Sequence, residues 1–276
     1  MKRLSKDEIQ DIELNILLQL KKVCDLYHLK LYLSGGTLLG AVRHRGFIPW
    51  DDDIDVCMPR PDYNRLIRIL HQENDMPSYL SMVCYEDGNF DFPFMKILDK
   101  RTIFKRQYFI DGNNSSLWID IFPVDGLPKD ITKAKRIYRQ VDKYRKFLMK
   151  SKAKPNEGKT PLRRALKPLY LSWINTFFNP QKCASKIYLI ANKISYDEAD
   201  YVGAVTWGLY GVGERMKKSE YEKTVNVTFE EYTFQAMSCW DSYLTGLYGN
   251  YMQLPPEEKR ITHKMEVWIK EENNGI

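Results

Sequence analysis

Residues 34–56 read SGGTLLGAVRHRGFIPWDDDIDV, and they constrain the fold more than any other segment of the chain. A Gly-Gly turn opens a short helix, and a loop then leads into four aspartates within five residues. From Asp53 to Val56 acid and aliphatic side chains alternate, and successive side chains of a β-strand point to opposite faces. The pattern predicts a strand with Asp53 and Asp55 on one face and its aliphatic side chains in the core.

Two carboxylates on one face of a strand, beside a glycine turn, are suited to hold Mg²⁺ next to a bound phosphate. This arrangement indicates phosphoryl or nucleotidyl transfer. A simpler interpretation is that Asp51 and Asp52 are solvated loop residues and that the glycines only close a turn. The acid-x-acid pattern together with the upstream Gly-Gly turn favours the phosphate site.

Asp120 is a third candidate acid, because it lies inside the otherwise apolar segment LWIDIF at 117–122. An unpaired carboxylate inside an apolar strand either costs several kcal/mol or is forced to be neutral. A metal ion or a cationic partner removes that cost and would place Asp120 in the same site. A salt bridge or a strand-end cap is the alternative explanation.

Length and composition indicate a globular enzyme-sized chain. Its 276 residues are 43% hydrophobic and 28% charged, which suits one large domain or a core with an appended subdomain. The five cysteines are dispersed, which predicts buried thiols and neither a disulfide framework nor a zinc site. The start lacks an apolar signal core, so we expect a cytoplasmic protein.

Positive charge is concentrated in one segment. Residues 129–167 carry 15 Lys or Arg against three acidic residues, whereas the whole chain has a net charge of only +6. This asymmetry suggests an anionic surface as partner. An apolar stripe that includes Trp173 and Phe177 follows directly, and it has two interpretations: an in-plane helix at the inner face of the cell membrane, or a helix packed on the protein's own core.

The remaining patterns predict a mixture of helices and strands. Helical periodicity and a capping box at Ser5 and Glu8 predict a helix over 5–28. Further helices are predicted over 37–44 and 62–72, and strands over 29–33, 54–58, 79–85, 94–98, 102–106 and 117–122. We divide the chain into a core, a basic helical insertion and a C-terminal region that completes the core domain, at 1–128, 129–200 and 201–276.

Four segments, in the same order, closely resemble the conserved blocks of the LicD family of phosphocholine transferases. They are GTLLGAVRHRGFIPWDDDIDVCMPRPDY (36–63), KILDKRT (96–102), WIDIFPVDGLP (118–128) and YLTGLYGNYMQLPPEEKR (243–260). The resemblance implies an α+β, nucleotidyltransferase-like fold, a mixed sheet flanked by helices. It also implies transfer of phosphocholine from CDP-choline, or of a similar phospho-alcohol from another CDP-alcohol, to a sugar hydroxyl of a cell-surface glycan such as teichoic acid or lipopolysaccharide, with release of CMP. The acceptor is then expected to be lipid-linked.

The resemblance also assigns roles to residues. Asp53, Asp55 and Asp120 match the acids that hold Mg²⁺, for which Mn²⁺ can substitute, and Asp120 is the candidate base for the acceptor hydroxyl. Residues expected near the diphosphate and the leaving CMP are Gly35, Gly36, Thr37, Arg43, His44 and Lys96. Aromatic faces attract the quaternary ammonium of choline, and the candidates are Trp50, Trp118 and Trp207, each of which is alternatively an ordinary core residue.

Two other function classes stay open on the residues alone. A non-catalytic module could use the same fold to bind a nucleotide, but such a module has no need for three acids in metal-ligand positions. A nucleotidyltransferase acting on another acceptor is the second alternative. Nucleic acid is compatible with the basic segment by charge, but the chain has no recognised nucleic-acid motif, and we expect no nucleic-acid partner.

Overall fold

The computed structural model describes residues 1–105, 115–155, 160–260 and 266–270. In this part of the chain the helices are α1 Lys6–Leu26, α2 Gly35–His44, α3 Arg60–Gln72, α4 Ile131–Ser151, α5 Pro161–Phe177, α6 Pro180–Ala191, α7 Lys218–Tyr221 and α8 Trp240–Tyr248. The strands are β1 Lys2–Arg3, β2 Tyr32–Leu33, β3 Asp55–Pro59, β4 Leu80–Cys84, β5 Met95–Asp99, β6 Thr102–Lys105, β7 Leu117–Leu127, β8 Tyr201–Gly203, β9 Met216–Lys217, β10 Thr224–Phe229, β11 Tyr232–Met237 and β12 Glu266–Ile269. Short 3₁₀ turns lie at Gly211–Glu214 and Glu257–Lys259.

The central sheet is mixed and has the strand order β2-β3-β7-β5-β4. Strands β3 and β7 run parallel, whereas β2 with β3, β7 with β5, and β5 with β4 are antiparallel pairs. Strand β8 pairs with the second half of β7 and with β9. A three-stranded sheet, β1-β12-β6, and the hairpin β10-β11 complete the β-structure of the described residues. Helices pack on this mixed sheet, which confirms the predicted α+β fold.

Helix α1 forms where the sequence predicts it. The Ser5 side chain accepts a hydrogen bond from the Glu8 N–H, and the Glu8 carboxylate accepts one from the Ser5 N–H, so the predicted capping box is present. The apolar stripe of the helix is buried in the core, with Ile16 and Leu20 fully inaccessible to solvent. Glu13 lies on the same buried face.

Two strands differ from their predicted bounds by three residues or more. The strand predicted over 29–33 is reduced to β2, and the strand predicted over 117–122 continues through Pro123 to the end of β7. Here β7 changes its antiparallel partner, because β5 pairs with 117–121 and β8 with 125–127. Pro123 lies in the gap between these partners, where its missing N–H breaks no ladder bond on that edge. The strand predicted over 102–106 forms as β6, and residue 106 lies outside the described residues.

The chain after β7 folds into helices α4, α5 and α6, and α4 and α6 pack around a second apolar cluster. Val141, Leu148 and Ile187 are buried in this cluster. After α6 the chain returns to the central sheet through β8. The three-part division of the chain stays a prediction. Within the described ranges no helix has the length and apolarity needed to cross a membrane, and all five cysteines are free and buried, as predicted.

Candidate active site

Three neighbouring strands bring charged side chains into one row across the central sheet. Asp55 begins β3 and is the register partner of Asp120 in the parallel strand β7. Lys96 of β5 is the antiparallel partner of Asp120 on its other side. Neighbouring strands lie about 4.8 Å apart, so the two acids and the lysine stand side by side. The structure therefore brings together two of the three acids that the sequence assigned to one site.

Asp53 reaches the same place from the loop that precedes β3. The strand begins at Asp55, one residue after the predicted start at 54, so Asp53 is a loop residue and the prediction that both acids share one face of a strand is wrong. Its side chain nevertheless lines the same cavity as Asp51, Asp55 and Asp120. Asp51 was not predicted to belong to the site, although its place in the DDD run could have indicated that it lines the cavity.

Hydrogen bonds tie the start of helix α2 to the start of β3. The Ser34 N–H donates to the Asp55 carbonyl at 3.1 Å, and the Asp55 N–H donates to Thr37 Oγ1 at 2.8 Å. Thr37 is buried and does not line the cavity, so its hydroxyl positions β3 and is not placed to contact a phosphate. The Gly35 N–H donates to the Tyr243 hydroxyl at 3.3 Å. The Gly-Gly turn thus holds Asp55 against the helix N-terminus.

The two glycines at this turn make room for the acids. Gly35 has a φ of +52°, a conformation that favours glycine, and a Cβ added there would lie 3.3 Å from Asp55 Oδ2. A Cβ on Gly36 would lie 2.6 Å from Asp51 Oδ2. Both glycines line the cavity. Any other residue would push the carboxylates away from the N-terminal turn of α2.

The cavity has a volume of about 340 Å³, and its lining consists of two chemically different groups of residues that meet at the glycine turn. We call the four aspartates and the two glycines the acidic end. The second group, the aromatic end, is largely aromatic and apolar, and its side chains come from β7, from the 204–216 segment and from helix α8. They include Phe122, Trp207, Tyr210, Glu214, Tyr243 and Tyr248. A cavity of this form suits a ligand with an anionic part and a less hydrated part.

Like charges dominate the electrostatics of the acidic end. Burial raises the pKa of Asp55 well above its ordinary value, and the neighbouring Asp53 and Asp120 raise it further, while Lys96 opposes them. A divalent cation would relieve this repulsion, and carboxylates are the ligands that Mg²⁺ prefers. Among the described residues no three side chains already surround a common point at ligand distance. The glycine cradle and the repulsion among the acids are the observations that fit a cation.

Asp120 has partners of its own in this structure. Lys96 Nζ lies 2.6 Å from Asp120 Oδ1, and the Trp118 indole N–H donates to Asp120 Oδ2 at 3.1 Å. The salt bridge considered as an alternative for Asp120 is therefore present, although Asp120 also lines the cavity. Lys96 Nζ lies 3.8 Å from the centroid of the Trp118 ring. That ring face contacts a cation of the protein itself, and Trp118 is not among the residues lining the cavity.

Arg43, His44 and Trp50 lie away from the acidic end. Arg43 donates to the Tyr251 carbonyl at 2.6 Å, the His44 and Trp50 rings meet edge to face, and Arg260 lies 4.8 Å from the Trp50 ring centroid. Eight residues of α helix separate the glycine turn from Arg43, which is about 12 Å at 1.5 Å per residue. The described structure does not bring these three side chains to the cavity. Of the three tryptophans named from the sequence, Trp207 lines it.

Three further residues line the cavity although they were not predicted from the sequence: Glu214, Tyr210 and Tyr248. Glu214 is 5% exposed, and burial raises its pKa to about 8, although the Tyr210 N–H that donates to it at 2.9 Å acts in the opposite direction. The Tyr210 and Tyr248 rings meet edge to face at 5.3 Å. Tyr248 lies in the late block YLTGLYGNYM, which could have indicated it. Glu214 lies in no such block.

Glu13 of helix α1 is a further buried acid behind the aspartate loop. Neither of its carboxylate oxygens has a hydrogen-bond partner within the described residues. Burial raises its pKa well above the ordinary value, and the charges of Asp53 and Asp52 raise it further. Burial and the neighbouring acids therefore favour the neutral form of Glu13. An acid at a position of the apolar stripe of α1 was the feature in the sequence that could have revealed it.

Comparison with known proteins identifies a matching family and a relative with a described activity. Residues 28–157 match the family described as LicD/FKTN/FKRP, nucleotidyltransferase domain. The lipopolysaccharide cholinephosphotransferase LicD of Haemophilus influenzae is 32% identical over 270 residues, which cover 96% of this chain and 98% of the relative. Uncharacterised proteins of Rickettsia prowazekii and Rickettsia typhi share 49% and 47% identity over 45 residues, which cover 16% of this chain and 17% and 15% of those proteins.

Proposed function

The chain belongs to the LicD family of transferases, and on that premise we propose that it moves phosphocholine from CDP-choline to a sugar hydroxyl of a lipid-linked cell-surface glycan. The acceptor oxygen forms a bond to the phosphorus that carries choline, and the bond from that phosphorus to the oxygen of CMP breaks. The hydroxyl proton passes to a base of the protein. The relative from Haemophilus influenzae is named as a lipopolysaccharide cholinephosphotransferase, which supports phosphocholine as the group transferred.

One observation supports this proposal most strongly, namely the single cavity with an acidic end and an aromatic end. Phosphoryl transfer depends mostly on positioning and on stabilisation of charge. The acidic end lies at the N-terminus of α2, which favours a bound anion such as a diphosphate. The aspartates at this end would bind a cation, and the cation would in turn attract the diphosphate.

Asp53, Asp55 and Asp120 are the residues that would hold Mg²⁺, with Mn²⁺ as the alternative ion. The ion would supply positive charge that offsets both the aspartates and the diphosphate. The Lys96 ammonium does not line the cavity, but at 2.6 Å from Asp120 it would add positive charge beside the acids. Asp120 is the candidate base, because it lies in the row of the sheet where the reacting phosphate is expected.

The aromatic end suits the choline head group. A quaternary ammonium donates no hydrogen bonds and is recognised by aromatic faces and by negative charge. Trp207, Tyr210 and Tyr248 supply the rings, and Glu214 supplies a buried carboxyl group. Because the pKa of Glu214 is raised to about 8, a bound cation would favour its ionised form and release a proton. We therefore assign Trp207, and neither Trp50 nor Trp118, to the head-group end.

A panel of CDP-alcohols tests the proposal. The purified chain is incubated with a lipid-linked glycan extract, Mg²⁺ and CDP-choline, CDP-ethanolamine, CDP-glycerol or CDP-ribitol, and CMP is measured. We expect CMP release to be fastest with CDP-choline and to stop in EDTA. Binding of CDP-choline without CMP release would favour the non-catalytic module. Pyrophosphate release from CTP would favour the nucleotidyltransferase.

A further inference from the structure

Helix α5 exposes a continuous apolar face to solvent. Five large side chains lie on it, each between 45% and 71% exposed: Leu166, Leu169, Tyr170, Trp173 and Phe177. Their spacing of three and four residues places them within about 100° of one another around the helix. The Trp173 and Phe177 rings contact each other at 5.8 Å. Exposed apolar patches of this kind mark surfaces that bind another molecule.

This face is distinct from the one that α5 packs against the protein. Leu171 and Ile174 of α5 are buried, and α5 packs against α4. The helix is thus anchored through one apolar side and presents a second one. The buried Leu171 and Ile174 lie outside the stripe predicted from the sequence, so packing on the protein's own core does not account for the exposed Trp173 and Phe177.

Positive charge surrounds the exposed face. From 158 to 196 the chain has seven Lys or Arg and no Asp or Glu. Lys150 of α4 lies at the edge of the face, with its Nζ 3.3 Å from the Tyr170 hydroxyl. The side chains of Arg163 and Arg164 lie outside the described residues. Lysine is depleted at protein–protein interfaces but favoured beside anionic lipids.

A cavity of about 940 Å³ adjoins the end of this face. Phe177 belongs to both the face and the cavity wall, where Lys182 and Lys186 contribute the positive charges. The acid in the wall, Glu86, lies 3.6 Å from Arg60. The cavity therefore continues the pattern of the helix, apolar surface next to positive charge.

We propose that the exposed face of α5 inserts into the interfacial region of an anionic membrane and holds the enzyme on the bilayer peripherally. Tryptophan and tyrosine at the apolar–polar boundary and lysines beside an apolar stripe are typical of in-plane helices. The proposal needs no particular donor or acceptor, but it accounts for access to a lipid-linked glycan. Membrane contact and transfer activity are separate properties, and they can be tested independently.

Flotation of the full chain with vesicles tests the proposal. Wild-type protein is expected to float with vesicles of phosphatidylcholine and phosphatidylglycerol at low salt, and binding should fall as salt rises. The double variant Leu169→Asp/Trp173→Asp should bind at least about tenfold less. The matched control Leu26→Asp changes a leucine of α1 that is 61% exposed and should bind like wild type.

The alternatives give different results. No flotation of wild-type protein at low salt, or equal flotation of wild type and the double variant, overturns the proposal. Equal flotation with pure phosphatidylcholine vesicles overturns the anionic requirement. A wild-type dimer in sedimentation that the double variant abolishes, without vesicle binding, would instead assign the face to a second copy of the chain. CMP release by the double variant is also measured in detergent solution, where no membrane is needed. Wild-type CMP release there, together with lost vesicle binding, shows that only membrane contact has failed and not the transfer reaction.

Discussion

Replacement of Lys96 by methionine should destabilise the protein in a way that Mg²⁺ reverses. Lys96 is 6% exposed, and its ammonium lies 2.6 Å from Asp120, whose side chain is 15% exposed. Methionine keeps most of the length and apolar contact of the side chain but removes the charge. Asp120 would then lie beside Asp55 with no cation at ion-pair distance on the β5 side.

The expected magnitude follows from the burial of this pair. Breaking a buried ion pair costs about 3–5 kcal/mol. The partial exposure of Asp120 and its hydrogen bond from Trp118 favour the lower end, about 3 kcal/mol. For a chain of this size that corresponds to a fall of about 6–12 °C in Tm, measured by calorimetry in EDTA.

Mg²⁺ should restore more stability to Lys96→Met than to wild type, because a cation at the aspartates replaces the missing ammonium charge. The control is Lys152→Met, which removes a pair with Asp91 whose side chains are 21% and 37% exposed. That change should cost about 0–1 kcal/mol and show no added response to Mg²⁺. A Lys96→Met protein as stable as wild type in EDTA, or one that Mg²⁺ stabilises no more than wild type, would refute this reasoning.

Two further predictions concern the aromatic end of the cavity. Because the pKa of Glu214 is raised to about 8, the unfolded chain loses this proton at a lower pH than the folded chain does, and wild-type stability should fall relative to Glu214→Gln as pH rises from about 5 to 8. Thermal unfolding across that range checks this prediction, and parallel plots of Tm against pH for the two proteins would contradict it. Trp207→Leu should raise KM for CDP-choline by about tenfold and leave KM for CDP-glycerol nearly unchanged, whereas the control Trp50→Leu should not change the ratio of the two KM values; initial-rate kinetics would expose equal effects on both donors.

The acidic end of the site was predictable because its determinants are local. The glycine turn, the acid-x-acid pattern and the lone acid of β7 each lie within a few residues of the strand that carries them. Parallel pairing of β3 and β7 then brings Asp55 and Asp120 together. The alternation of side chains also suggested that Asp53 and Asp55 share one strand face, and this was wrong because alternation does not mark where strand pairing begins.

The residues that were misplaced or missed depend on contacts between distant segments. Arg43 and Trp50 are close to the acids in sequence, but helix α2 carries Arg43 away from the glycine turn. Glu214 enters the cavity from a turn after β8, and nothing in its local sequence distinguishes it from a surface acid. Likewise, the periodicity of α5 revealed an apolar stripe but did not show that Leu171 and Ile174, which lie outside it, would be the buried residues of this helix.

The most direct test of the proposed reaction uses CDP-choline that is labelled in its choline group. It measures how much labelled phosphocholine the Asp55→Asn protein transfers to the lipid-linked glycan. Asparagine keeps the size of the side chain but removes the charge that a metal ion needs. We expect the label on the glycan to fall more than about a hundredfold relative to wild type at saturating Mg²⁺. Asp25→Asn, which changes an exposed acid of α1 paired with Lys21, should transfer like wild type. Near wild-type transfer by Asp55→Asn, or full transfer by wild type in EDTA, would contradict the proposal that this cavity catalyses metal-dependent phosphocholine transfer.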